Sequence, residues 1–317
     1  MENISLISIN VFLVGIQEME TFKYLYFVII LGIYISNMLF CSLLMCIIRT
    51  EPSLHEPMYI FIFNLISNGM FGSTAFLPKL MIDLLSGSKT ISIHSCLVQA
   101  FCIQCSACTE ILTFTVMAYD RYLAVCYPLR YPTLMTNGKA LRCAAVTWIV
   151  SFTYEAVVVI LTARLTLCGT NINNVYCETL SLLKLSCGDT TVNNIFGTVT
   201  TLFLIIVSEM IVIYCYIQTF TVCLKISKDE CQKAIHTLVT HLIAFSLFMG
   251  AVIFISFRHR LNIGALSNNL HLVLGVVGLT ISITINPIIY GIRTVALRSK
   301  MINFLNLKNI YVKDQAH

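Results

Sequence analysis

Met117-Ala118-Tyr119-Asp120-Arg121-Tyr122-Leu123-Ala124-Val125-Cys126-Tyr127-Pro128-Leu129 closes a long apolar segment with two opposite charges side by side. An arginine is costly in hydrocarbon and is tolerated at a membrane edge, where a neighbouring carboxylate can pair with it. Reading backward from Met117, the chain stays apolar to Ser92, with Glu110 its sole acid and no Lys or Arg. A bilayer needs about 20 apolar residues in a helix. This stretch is therefore long enough to span one.

The pattern recurs along the chain. Spans are predicted at Tyr24 to Ile48, Pro57 to Leu85, Ser92 to Cys126, Lys139 to Leu161, Asn193 to Ile226, Gln232 to Phe257 and Asn268 to Tyr290. Hydrophobic residues make up 57% of the 317 and charged ones 11%, with a mean hydropathy of +0.84. Soluble domains carry about 25% charge, so much of this surface faces lipid. In lipid, backbone groups must be satisfied within the segment, and spans this long and uniform do so as helices. The prediction is an all-α membrane protein, one seven-span bundle over residues 1–317. Residues 1–23 form an amino terminus, 24–292 the bundle and 293–317 a tail.

Lys and Arg counts orient it. The ends that hold Arg49, Arg121, Arg130, Lys225, Lys233, Arg298 and Lys300 carry 13 of them against 7 on the other side. The richer side is expected in the cytoplasm, which leaves the amino terminus outside. The net charge of +5 follows from this bias and calls for no nucleic-acid partner. The start lacks a basic leader and a small-residue cleavage site, so the first span is expected to act as its own insertion signal. Asn3-Ile4-Ser5 is a sequon on the outer segment and can be glycosylated at Asn3.

Of 14 cysteines, Cys96, Cys168, Cys177 and Cys187 fall at the outer face, where thiols oxidise. Four cysteines permit three pairings, and the residues alone do not choose. Any bridge from Cys96 ties the loop from Thr162 to Val192 across the bundle mouth as a lid. Cys102, Cys105 and Cys108 drift around one helix face. They read as small hydrophobes more readily than as a soft-metal site.

Glu110 lies three turns from Arg121, near mid-membrane, and a carboxylate there is a functional candidate by default. Glu155 and Glu209 also fall within apolar spans, where either can meet a ligand. Asn286-Pro287 removes one backbone hydrogen bond and is expected to kink the seventh span. Beyond it, Arg293, Arg298 and Lys300 alternate with Leu297, Met301, Phe304 and Leu305, a pattern that predicts an amphipathic helix on the membrane surface.

Taken together, these residues resemble the vertebrate odorant receptors, a rhodopsin-like G protein-coupled receptor family. The marks are Leu54-His55-Glu56-Pro57-Met58-Tyr59, Met117-Ala118-Tyr119-Asp120-Arg121-Tyr122, Leu182-Leu183-Lys184-Leu185-Ser186-Cys187 and Lys233-Ala234-Ile235-His236-Thr237 with His241-Leu242. Asn286-Pro287-Ile288-Ile289-Tyr290-Gly291 completes them, and the fifth and sixth spans lack proline, as the family's do. Asn68-Gly69-Met70-Phe71-Gly72 looks closer to the fish-type branch.

The resemblance implies an odorant receptor, not an enzyme, in the plasma membrane. It implies a heterotrimeric G protein partner of the olfactory, stimulatory type that raises cyclic AMP. It pairs Cys96 with Cys177 and Cys168 with Cys187. It also makes Asp120, Arg121, Tyr122, Tyr216, Lys233, His241 and Tyr290 the inner switch. For the pocket, Ile103, Gln104, Ala107 and Cys108 are expected on the third span, with Phe203, Val252, Ser256 and Leu274 on the fifth to seventh. An apolar cavity with a few polar points suits a small organic molecule.

The chain departs from the family at Gly69, where an acid commonly faces Glu110; a sodium ion between the two is thereby weakened, and no other cofactor is expected. Met249, Leu238 and Ile283 are further departures. A receptor for another small ligand is the nearest rival. A transporter or channel is more distant, since no internal repeat is present. A retinal-binding opsin would need a lysine between Asn268 and Tyr290, and there is none.

Overall fold

The computed structural model describes residues 10–225, 232, 239, 242–253, 277–278, 280, 284–292 and 294–314. Five long apolar helices lie in the expected places: α1 Lys23–Thr50, α2 Pro57–Ser86, α3 Ile93–Cys126, α4 Asn137–Ala163 and α5 Thr191–Cys223. Helical residues 242–253 (α6) and 284–292 (α7) follow, then α8 at Val295–Asp314. The helix ends carry local signals. Pro57 sits in the first turn of α2, and Gly87 closes it at φ 66°, a left-handed position that glycine takes without a Cβ penalty. Ser92 and Thr136 accept the backbone N–H groups of Ser95 and Lys139 as N-caps of α3 and α4. Pro78 lies inside α2.

α3 is the central strut and packs on α2, α4 and α5. Two hydrophobic clusters divide the bundle along its length. One gathers Ile91, Cys96, Ala100, Ile103, Phe76 and Tyr176 at the disulfide end. The other gathers Ile62, Leu65, Phe114, Met117, Phe248 and Tyr290 toward Arg121. Outward faces of α1, α4 and α5 leave Val28, Ile29, Leu39, Ile149, Ile195, Phe203 and Met210 exposed, as a lipid-facing surface requires. α1 and α7 approach closely: a Cβ on Gly291 would stand 2.8 Å from Phe40 Cζ.

The disulfide end adds a small sheet of β1 Asn10–Leu13, β2 Thr90–Ser92 and β3 Asn171–Ile172 in the order β2-β1-β3. β1 runs antiparallel to β2 and parallel to β3. The predicted amphipathic helix is α8. It lies against α1, with Leu297 buried and Lys300 Nζ 2.6 Å from Glu51 Oε2.

Candidate functional site

The long loop between α4 and α5 is folded, not slack. Cys96, in the first turn of α3, bonds to Cys177, and Cys168 bonds to Cys187. The backbone N–H of Cys177 donates to Gln99 Oε1 at 2.9 Å, and Gln99 Nε2 donates to the carbonyl of Ala75 at 3.2 Å. Tyr176 is buried edge-on against Phe76 at 5.3 Å. Asn174 and Ser181 both donate to Glu178 Oε1, at 3.1 and 2.8 Å, at the start of a two-turn helix, Thr179–Leu185. The loop is therefore a packed lid.

Under this lid lies a cavity of about 300 Å³ between α3, α4 and α5. Gln104, Ala107, Cys108 and Ile111 form its α3 wall; Tyr154, Glu155 and Val158 come from α4 and Thr201, Leu202 and Ile205 from α5. Thr179 and Leu183 of the loop helix cover it, and Val252 and Ile253 of α6 close the side. Tyr154 braces α4 on α5: it lies 3.0 Å from Thr201 Oγ1 and accepts from Thr200 at 3.1 Å. The wall is largely apolar, yet Glu155 Oε2, Thr179 Oγ1 and Asn193 Nδ2 have no hydrogen-bond partner.

Halfway down, several polar groups answer one another. Asn64 Nδ2 donates to Thr113 at 2.9 Å and Thr147 at 3.5 Å, and the chain's one tryptophan, Trp148, donates to Asn64 Oδ1 at 2.8 Å. This cross-tie joins α2, α3 and α4. Glu110, 3% exposed, accepts from Asn286 Nδ2 at 2.5 Å and so links α3 to α7.

At the far end of α3, Asp120 is buried and Arg121 partly so, with Oδ2 and the guanidinium 3.5 Å apart. Tyr131, from a short helix Tyr131–Leu134, donates to Asp120 Oδ1 at 2.8 Å. Burial and the neighbouring Asp120 hold the Tyr131 hydroxyl well above the ordinary tyrosine range, so it stays a donor. Lys139 caps that helix through the carbonyls of Thr133 and Leu134. Arg121 thus shares Asp120 with a loop tyrosine, and the ion pair is the longer of the two contacts.

The sequence profile described as Olfactory receptor matches residues 22–308. The chain is 35% identical to "Olfactory receptor 8U3" of Mus musculus over 293 residues, 92% of this chain and 91% of that one. "Olfactory receptor 10G7" of Homo sapiens is also 35% identical, over 292 residues and 89% of each chain. "Olfactory receptor 13C2" of Homo sapiens is 30% identical over 305 residues, 95% of this chain and 96% of its own length. The chain belongs to the olfactory receptor family.

Membership brings the seven-span bundle, of which five long apolar helices are among the described residues. These three relatives are mammalian, and a fish-type branch does not follow from them. The residues expected from the sequence to line a pocket divide. Gln104, Ala107, Cys108 and Val252 line the cavity. Ile103 does not: it is buried in the cluster around Phe76 and Tyr176. Phe203 is 67% exposed on the outer face of α5, and its neighbours Leu202 and Leu204 line the cavity instead. Adjacent positions on a helix point about 100° apart, and α5 is too uniformly apolar for its sequence to mark the inner face. Ser256 and Leu274 lie outside the described residues, as do Lys233, His241 and Asn3.

Of the residues expected to form a switch, Tyr216 and Tyr290 pack into the core at the Arg121 end. Tyr122 turns to Tyr127, 3.4 Å between hydroxyls, and to the Tyr214 ring at 5.9 Å. Cys105 Sγ donates to the carbonyl of Ser151 at 3.7 Å, while Cys108 faces the cavity. Among the described residues no three His, Cys, Asp or Glu groups could hold a metal ion. Asn64, Trp148, Thr179, Asn193 and Tyr131 were not picked out from sequence. Only the Tyr131-Pro132 step after Arg130 offered a local signal, Pro being favoured in a first helical turn.

Proposed function

We propose that the chain is an odorant receptor in which a small organic molecule occupies the cavity beneath the lid. Its greater affinity for a second arrangement of the bundle then exposes Arg121 to a heterotrimeric G protein. One observation carries this reading: a covered, mostly apolar cavity lies along the middle turns of α3, Gln104 to Ile111, and the Asp120–Arg121 pair stands near the end of the same helix. Among the described residues α3 packs on α2, α4 and α5, so a shift at one end is felt by its neighbours.

The excess of Lys and Arg supports a cytoplasmic Arg121 end, an outer amino terminus and a plasma-membrane location. The resemblance to odorant receptors supports a stimulatory G protein and cyclic AMP as the output. Gln104, Ala107, Cys108 and Val252 are the proposed contacts, with Ser256 and Leu274 as further candidates. Lys233, His241, Tyr216 and Tyr290 are proposed to frame the gate. A sodium ion at Glu110 is no part of the reading, because the second acid is replaced by Gly69 and Asn286 already donates to the carboxyl.

Arg121→Ala is expected to abolish ligand-stimulated cyclic AMP at matched surface density. Full signalling by that variant would remove Arg121 from the mechanism.

A further inference from the structure

The cavity wall holds one carboxyl among its described residues, Glu155, and no Lys, Arg or His. Every other buried acid described in the chain has a protein partner: Asp83 has Lys79, Glu110 has Asn286, Asp120 has Tyr131 and Arg121, and Glu178 has Asn174 and Ser181. Glu155 is 3% exposed, sits on the cavity wall, and its Oε2 has no hydrogen-bond partner. Thr179, 6% exposed, presents a second unpartnered oxygen on the same wall.

The geometry points to Glu155 as the anchor for a small organic cation, a primary or secondary amine with an apolar body. A buried carboxylate is costly unless a cation joins it. The described wall supplies none here, and a ligand that brings one lets the carboxyl ionise in place. A charge-assisted ammonium–carboxylate bond is roughly twice as strong as a neutral one, which favours an amine over the matching alcohol. Ala107, Ile111, Val158 and Leu183 offer apolar contact to the ligand's body. At about 300 Å³ the space stands at the small end of ligand pockets, which excludes bulky cations. Asn193 Nδ2 is a donor, so an added ether or hydroxyl oxygen on the amine should improve the fit.

This rests on the cavity's being the ligand site. The test uses full-length receptor, both purified in detergent and displayed on cells, with hexylamine and 1-hexanol as matched probes. Hexylamine is expected to bind at least tenfold more tightly than 1-hexanol by thermal-shift titration. E155Q, which keeps the side chain's volume, should weaken hexylamine by about tenfold to a hundredfold, as loss of a charged hydrogen bond does. The same variant should leave 1-hexanol unchanged. Ala107→Leu, which retains the carboxyl but fills the space, should also abolish hexylamine binding.

Equal binding of the two probes, an unaltered hexylamine affinity in E155Q, or binding retained by Ala107→Leu would each overturn the assignment. Absence of hexylamine binding up to about 1 mM would do the same. The two proposals fail separately. Arg121-dependent cyclic AMP driven by neutral odorants, without amine binding, sinks the anchor alone. Glu155-dependent amine binding with no G protein activation by any compound sinks the signalling role alone.

Discussion

Two polar regions along α3 and α4 obey opposite rules. Around Asn64, the Thr113, Thr147 and Trp148 side chains all find partners, and Phe71 and Phe152 pack their rings against Trp148 at 5.5 Å. Around Glu155, on the same helix as Trp148, an acid, a hydroxyl and an amide each keep an unanswered atom beside an open space. Buried polar atoms are nearly always paired in folded proteins. A satisfied network rigidifies a core, whereas a half-satisfied one lowers stability. The first region fixes how α2, α3 and α4 meet, and the second holds a deficit that a bound molecule can relieve.

The contrast can be broken from its firm side. Asn64→Leu strands the Trp148 N–H and removes the donor shared by two threonines. Each stranded buried group costs roughly 1–3 kcal/mol. A large fall in the thermal midpoint of purified receptor is expected, and an unchanged midpoint would mean that the cross-tie holds nothing. A smaller effect is expected from Glu110→Gln, since an amide oxygen can still accept from Asn286 Nδ2. Its stability should change by about 1 kcal/mol or less, and titration with sodium should change neither protein's basal activity. Marked sodium dependence of the wild type that disappears in Glu110→Gln would restore an ion to that site. The smallest effect belongs to the cavity. Thr179→Val deletes an oxygen with no partner, so the ligand-free receptor should lose no stability and can gain a few tenths of a kcal/mol. A clear destabilisation would show that the hydroxyl is satisfied in solution.

Much of this was legible in the chain, and the remainder has identifiable causes. Span positions followed from length and hydropathy because lipid leaves the backbone little choice; α2 and α3 begin within a residue of expectation. The lid was expected, but its internal architecture was not, because Asn174, Glu178 and Ser181 form bonds too local and too ordinary to stand out by type. The Asn64 cross-tie escaped for a related reason. Sequence reading singles out charges in hydrocarbon, whereas neutral amides and hydroxyls become informative only when three helices bring them together. Phe203 shows the limit on facing: a uniformly apolar helix such as α5 does not reveal which side turns inward.

The order of the small sheet has a consequence for biogenesis. Its middle ribbon, residues 10–13, is synthesised first, but Thr90–Ser92 emerges only after two spans and Asn171–Ile172 only after four. A ribosome feeding the translocon therefore leaves the leading segment without neighbours until more than half the polypeptide has been threaded. Its final docking is therefore a late step, which has to wait until the first four crossings have been made.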